Sequence, residues 1–199
     1  MARTPVSICN QALGRIGAEY ISSLQEASSN ARHCNTVYED TVLELLESEN
    51  WAFAMKRAKP VPVADDTLYE GWDYAYAVPG DMVRLVDIVS SKKVKRKHEG
   101  RVLLCNVENP VLVYVSNPSS PEVYTPLFAS ALALRLATKL AGPVKNSRQL
   151  EQSLFQEFYE IYRRARMQEV DESYAEDETG FWVDRGGSLE DIMDRIDNG

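Results

Sequence analysis

Cysteine and histidine are both scarce in this chain of 199 residues, with three and two copies. Cys9, Cys34 and Cys105 form no CxxC pair and are typical of buried thiols in a reducing compartment. No metal-ligand spacing joins them to His33 and His98. We therefore expect neither a metal nor another cofactor.

Long apolar runs are also missing. The longest, from Leu127 to Ala141, is interrupted by Arg135 and Lys139 and is shorter than the roughly eighteen residues of a membrane span. No apolar signal core follows the N-terminal Met-Ala-Arg-Thr-Pro. The sequence thus predicts neither a membrane segment nor secretion.

Patterns that carry catalysis are weak. His33 and Cys34 are consecutive on a predicted helix, where their side chains diverge by about 100°, which does not suit a nucleophile and its base. Asp65-Asp66 is more typical of a turn or cap than of paired catalytic carboxylates. The Gly14–Gly17 segment lacks the Lys-Ser/Thr of a phosphate-binding loop. We predict that the chain is not an enzyme.

Charge is plentiful but unevenly placed. The formal net charge is −8, and residues 171–199 hold ten acids against two bases. Residues 1–170 carry 20 charges of each sign and are neutral. A neutral body of this kind is not typical of a nucleic-acid-binding protein, and the acidity belongs to one C-terminal arm.

Helical periodicity and capping signals occur at both ends of the body. Helices are predicted to start at Thr4-Pro5, at Ser28 or Ser29, at Thr125-Pro126 and near Ser147. We expect the third to be the most buried helix and to end at Gly142-Pro143. The fold class is therefore α+β, mainly α: a bundle of about four helices from residues 1–53 and 125–170.

Residues 54–124 lose the helical period. Six prolines lie in this stretch, and short strand candidates occupy 72–78, 83–90, 102–106 and 111–116. They predict a small antiparallel β module, a sheet or barrel, inserted between helices 2 and 3. The remaining residues, 171–199, form the extended C-terminal arm.

Two segments are candidates for interaction. The basic run 92–101 has six bases and one acid and is predicted at a hairpin turn, where it suits a solvated tip first, and otherwise phosphate contact or an acidic partner. In the acidic arm, a short amphipathic helix is predicted over 188–197, and it needs a partner because two turns are unstable alone. That partner is another protein or the chain itself. The candidate residues are Lys92, Lys93, Lys95, Arg96, Lys97 and Arg101 in the basic run, and Phe181, Trp182, Leu189, Ile192, Met193 and Ile196 in the arm.

Several ordered motifs resemble a known family. They are Ile8-Cys9-Asn10-Gln11-Ala12-Leu13-Gly14-Arg15-Ile16-Gly17, Ala31-Arg32-His33-Cys34-Asn35-Thr36-Val37-Tyr38, Leu43-Glu44, Trp51-Ala52-Phe53-Ala54 and the stretch from Tyr74 to Leu85. With the helix–helix–β–helix–helix order, they are similar to phage head-to-tail adaptors of the tail tubular protein A type over residues 5–170. The individual motifs are structural, so their order carries the resemblance.

The resemblance implies a structural virion protein located in the phage neck and assembled in the host cytoplasm. Such a protein forms a ring, usually of twelve copies, that joins the portal protein to the next tail component, a nozzle or tail tube protein. Viral DNA passes through its channel without specific recognition. Two alternatives remain open: a nucleic-acid-binding module that acts through residues 92–101, and a tail-associated hydrolase.

Overall fold

Four helices flank a β module of seven strands. The computed structural model describes residues 3–64, 69–90 and 93–177, with only the backbone for 169–177. Within this part the helices are α1 (Pro5–Arg15), α2 (Ser29–Ser48), α3 (Pro126–Lys145) and α4 (Arg148–Asp177). The strands are β1 (Met55–Ala58), β2 (Val61–Pro62), β3 (Tyr74–Ala77), β4 (Met82–Val89), β5 (Arg96–Glu99), β6 (Val102–Cys105) and β7 (Val111–Ser116). The predicted fold class, α+β and mainly α with the β module between the second and third helices, is confirmed.

Capping side chains fix the starts of the first three helices. Thr4 accepts a hydrogen bond from the backbone N–H of Ser7 in a reciprocal capping box, and Pro5 occupies the first helical position. Ser28 and Thr125 accept equivalent hydrogen bonds at the starts of α2 and α3. The predicted starts are therefore confirmed.

Two helix ends differ from the prediction. The expected end of α3 at Gly142-Pro143 is wrong, because the helix continues to Lys145 and ends at Asn146, whose φ of 49° is left-handed. Pro143 lies inside the last turn of this helix. Helix α4 continues to Asp177, so the predicted arm starting at residue 171 begins inside a helix.

The β module consists of two antiparallel sheets. One has the strand order β1-β7-β4 and the other β2-β3-β6-β5. A cluster of buried side chains from both sheets lies between them and includes Ile88, Leu112 and Tyr114 from the first sheet and Tyr76 and Leu103 from the second. On β7, the neighbouring Val115 belongs instead to the helical core. Because successive side chains of a strand point to opposite faces, the first sheet lies between the helices and the second sheet.

Helix α3 is the centre of the helical core. Eleven of its twenty residues are buried, against α1, α2 and the aromatic side chains around Trp51. By length and composition this helix alone, among the described residues, could cross a membrane, with a mean hydropathy of 1.3. However, 61% of that apolar window is buried inside the protein, which is the pattern of a core helix.

Candidate interaction surface

A groove lies between the free edges of the two sheets. Strands β4 and β5 are edge strands of their sheets, and the side chain of Arg96 on β5 reaches across to the carbonyl oxygen of Val86 on β4, at 3.5 Å. The cavity between the strands has a volume of about 360 Å³. We call it the basic groove, and it is lined by Val83, Arg84, Leu85, Arg96, Lys97, His98 and Leu103.

Strand register decides which side chains of β5 face this groove. Arg96 pairs with Cys105 and His98 with Leu103, and both partners belong to the core between the sheets. Because directly paired residues share a face, Arg96 and His98 point towards the first sheet. Lys97 alternates to the other face, where its Nζ lies 2.6 Å from a carboxylate oxygen of Glu99.

The arginines of the groove keep uncompensated charge. Arg84 donates to the backbone oxygen of Glu47 at 3.0 Å and to the amide oxygen of Asn50 at 2.7 Å, both uncharged acceptors. Among the described residues, no ion pair involves Arg84 or Arg96. Arg84, Arg96 and Lys97 are among the lining residues and no acid is, but the side chain of Arg84 is held by the end of α2 and that of Lys97 lies on the other face of its sheet. Arg96 is therefore the cation that faces the apolar Leu85 and Leu103. This surface can bind an occupant that is both acidic and apolar.

The structure moves the basic run from the predicted turn into an edge strand. Residues 96–99 form β5, and the turn itself is Gly100-Arg101, where Gly100 has a φ of 58°. Among the described basic residues of the run, Arg96 and Lys97 line the groove. The prediction did not include Arg84 or His98, and an isolated arginine in a strand that also holds Asp87 gives no distinct sequence signal.

The other members of the basic run lie elsewhere. Asn106 hydrogen-bonds the backbone of Lys93 and Lys95, while their side chains are exposed. Arg101 donates to the carbonyl oxygen of Pro79, at 3.1 Å. Outside the described residues lie Lys92 and all the arm candidates: Phe181, Trp182, Leu189, Ile192, Met193 and Ile196.

Arg135 and Lys139, the two charges on the central helix, have a structural explanation. Both bind Glu44 of α2, at 2.7 and 2.6 Å. Burial tends to raise the pKa of Glu44, but the hydrogen bonds from Lys139 and Arg135 together hold it below its usual range. The guanidinium of Arg135 also lies 5.6 Å from the ring centre of Phe158. This cluster joins α2, α3 and α4 and serves the fold.

The histidine and cysteine side chains are not brought together for chemistry. Cys34 is fully buried and hydrogen-bonds Cys9 of α1, and this hydrogen bond together with burial raises the pKa of the Cys9 thiol. His33 is half-buried on α2, whereas His98 lies on β5. Within the described part of the chain, no group of three or more His, Cys, Asp and Glu could hold a metal ion.

Helix α4 presents a second surface that the prediction missed. Phe155, Tyr159 and Met167 are 43%, 52% and 64% exposed, on a helix whose buried face is formed by Leu154, Phe158 and Ala165. Phe155 and Tyr159 are four residues apart and hence neighbours on the helix surface.

No protein-family model matches the chain, and no curated protein has a significantly similar sequence.

Proposed function

We propose that this chain is a structural subunit of a phage head-to-tail adaptor, which assembles into a ring of about twelve copies between the portal protein and the next tail component. In this role the ring surrounds the channel for viral DNA and catalyses no reaction. The proposal rests on the resemblance of its ordered motifs to that family.

The main support comes from what the motif residues do in the fold. Asn10 binds the backbone N–H and carbonyl of Ile21 through two hydrogen bonds of 2.8 Å, and thereby holds the loop after α1. Trp51 is fully buried and donates to the carbonyl oxygen of Leu45, at 2.6 Å. Asp81 accepts hydrogen bonds from Lys56 and Tyr114, which lie on β1 and β7. These motif residues fix the positions of helices and strands. A structural subunit, whose function depends on a defined three-dimensional shape, requires such contacts.

Two exposed surfaces also favour an assembled role. The apolar residues of α4 and the basic groove are features that a ring subunit can use for contacts with its neighbours and with unlike partners. A contact between two different patches of identical subunits is heterologous, and repeating it closes a ring when the rotation permits.

Electron microscopy of the purified full-length chain, alone and mixed with the portal protein of its phage, tests this function. We expect closed rings, with the adaptor bound to the portal vertex. Absence of rings in both samples would refute the proposal.

Nucleic-acid binding through the basic residues is the second candidate, favoured by the exposed lysines of the basic run, Lys93, Lys95 and Lys97. It predicts binding of duplex DNA that weakens steeply with salt. Replacing Lys93, Lys95 and Lys97 together by Glu would abolish that binding, measured by fluorescence anisotropy. Unchanged binding in this triple variant would rule out the second candidate.

A further inference from the structure

The lining of the basic groove favours an occupant that has both apolar and acidic side chains. Its apolar lining, Leu85 and Leu103, favours an apolar side chain, while Arg96, which has no ion pair with a described acid, favours a carboxylate. A volume of about 360 Å³ is near the lower end for ligand sites and accommodates one large aromatic side chain with its neighbours. The occupant is therefore a short acidic stretch with an apolar centre.

The chain itself contains such a stretch outside the described residues. Phe181-Trp182-Val183 is an apolar triplet, with Glu178 before it and Asp184 after it. It belongs to the 171–199 segment that holds ten acids and two bases, whereas residues 1–170 are neutral. Charge and apolar pattern thus both match the groove.

We propose that the acidic segment around Phe181-Trp182-Val183 of one copy binds in the basic groove of a neighbouring copy. The inference rests on the proposed function, since it names the contact that links successive subunits of the ring. Groove and segment are different stretches of the chain, so the contact is heterologous and can propagate around a ring.

The edge strand β5 favours a peptide over nucleic acid as occupant. The outer edge of a sheet offers backbone N–H and carbonyl groups that an extended peptide can pair with, and a DNA backbone has no matching pattern. Basic side chains on an edge strand discourage pairing with neutral or basic strands. An acidic segment is attracted by the basic side chains of β5 instead of being repelled by them. The residues that discourage pairing with other strands therefore favour pairing with this segment.

Mixed assembly of full-length variants tests the contact. Arg96→Glu disables the groove and Trp182→Ser disables the segment, while Arg57→Glu on β1, the opposite edge of the first sheet, and Asn198→Ser, outside the candidate residues of the arm, are controls. Under conditions in which the wild type forms rings, we expect each disabled variant to be monomeric in light scattering and both controls to assemble. An equal mixture of the two disabled variants should give heterodimers, because only one functional contact per pair remains.

A direct binding measurement does not depend on ring formation. A fluorescent peptide of residues 176–188 is titrated into the full-length Trp182→Ser chain, whose groove is intact. We expect Arg96→Glu in this background to weaken binding at least about tenfold and Arg57→Glu to leave it unchanged. Circular dichroism confirms that each variant is folded.

The outcomes separate the two proposals. Equal peptide affinity in the Arg96→Glu and parent chains overturns the groove contact, as does ring formation by Arg96→Glu at the wild-type level. Binding of duplex DNA but not of the peptide also overturns it and assigns the groove to nucleic acid. If the peptide binds through Arg96 but the wild type forms no ring with or without the portal, the adaptor function is wrong and the contact stands.

Discussion

Truncation of Trp51 should cost a large part of the stability of the fold. Its indole is fully buried at the exit of α2 and lies edge-on to Phe128 of α3, with ring centres 4.9 Å apart. Phe53 and Tyr162 are both 6.2 Å away, so residues from α3, α4 and the segment that leads into β1 meet on one ring. Trp51→Ala removes the side chain on which these elements converge.

The expected loss is about 4–6 kcal/mol. Replacing a buried Trp by Ala costs about 3–5 kcal/mol through lost burial and the cavity left behind. The hydrogen bond to the carbonyl of Leu45 adds about 1 kcal/mol, because that oxygen also accepts from Ser48 and keeps a partner. Trp51→Phe retains most of the burial and should cost about 2 kcal/mol.

Urea unfolding followed by far-ultraviolet circular dichroism measures these losses. With a slope of about 2 kcal/mol per molar urea, the midpoint of Trp51→Ala should fall by about 2–3 M. Trp72→Ala is the matched control, and since Trp72 is only half-buried we expect a loss of about 1–2 kcal/mol. A Trp51→Ala chain within about 1 kcal/mol of the wild type would refute the central place given to this residue.

Three further changes have defined outcomes in thermal or urea unfolding. Tyr38→Phe should stabilise the chain by about 1 kcal/mol, because the buried hydroxyl has no hydrogen-bond partner in the described structure; a loss of stability would contradict this. Glu44→Gln should cost about 1 kcal/mol at neutral pH, since its carboxylate is partly solvent-screened. The lowered pKa of Glu44 means that this contribution is present above the unfolded pKa of about 4.3 and is lost as the pH falls through the folded value, so wild type and variant should converge in acid. Asn10→Ala should cost about 2 kcal/mol by releasing Ile21 from two hydrogen bonds, and a negligible loss would show that the loop is held otherwise.

The helices were predictable because their signals are local. A Thr or Ser cap, a proline at the first position and an apolar stripe each depend on residues within a few positions of one another. The buried stripe of α1 (Ile8, Cys9, Ala12, Leu13) follows directly from such spacing. The end of α3 was missed because Gly142-Pro143 is a local stop signal, whereas the helix closes at Asn146, whose backbone is left-handed.

The strands were harder to predict because pairing supplies their stability. β1 has the sequence Met-Lys-Arg-Ala and β5 Arg-Lys-His-Glu, and neither shows apolar alternation. Each is an edge strand, with a single paired neighbour in its sheet. β1 is held by hydrogen bonds to β7, which is distant in sequence. β5 is held by hydrogen bonds to β6, which follows it after a turn. Local patterns therefore favoured a loop at both places.

The same dependence on pairing explains why the candidate site was only half predicted. Sequence shows six bases between 92 and 101 but not which of them share a face. The pairing of Arg96 with Cys105 decides it, because a shift of one residue would turn Arg96 outward and Lys97 towards the first sheet. Arg84, from another strand and another sheet, also lines the groove, while its side chain is held by Glu47 and Asn50 at the end of α2. The charge of the groove thus depends on both the register of β5 and the position of α2. A variant that shifts the strand register or the helix should lose the groove, although the net charge of the chain is unchanged.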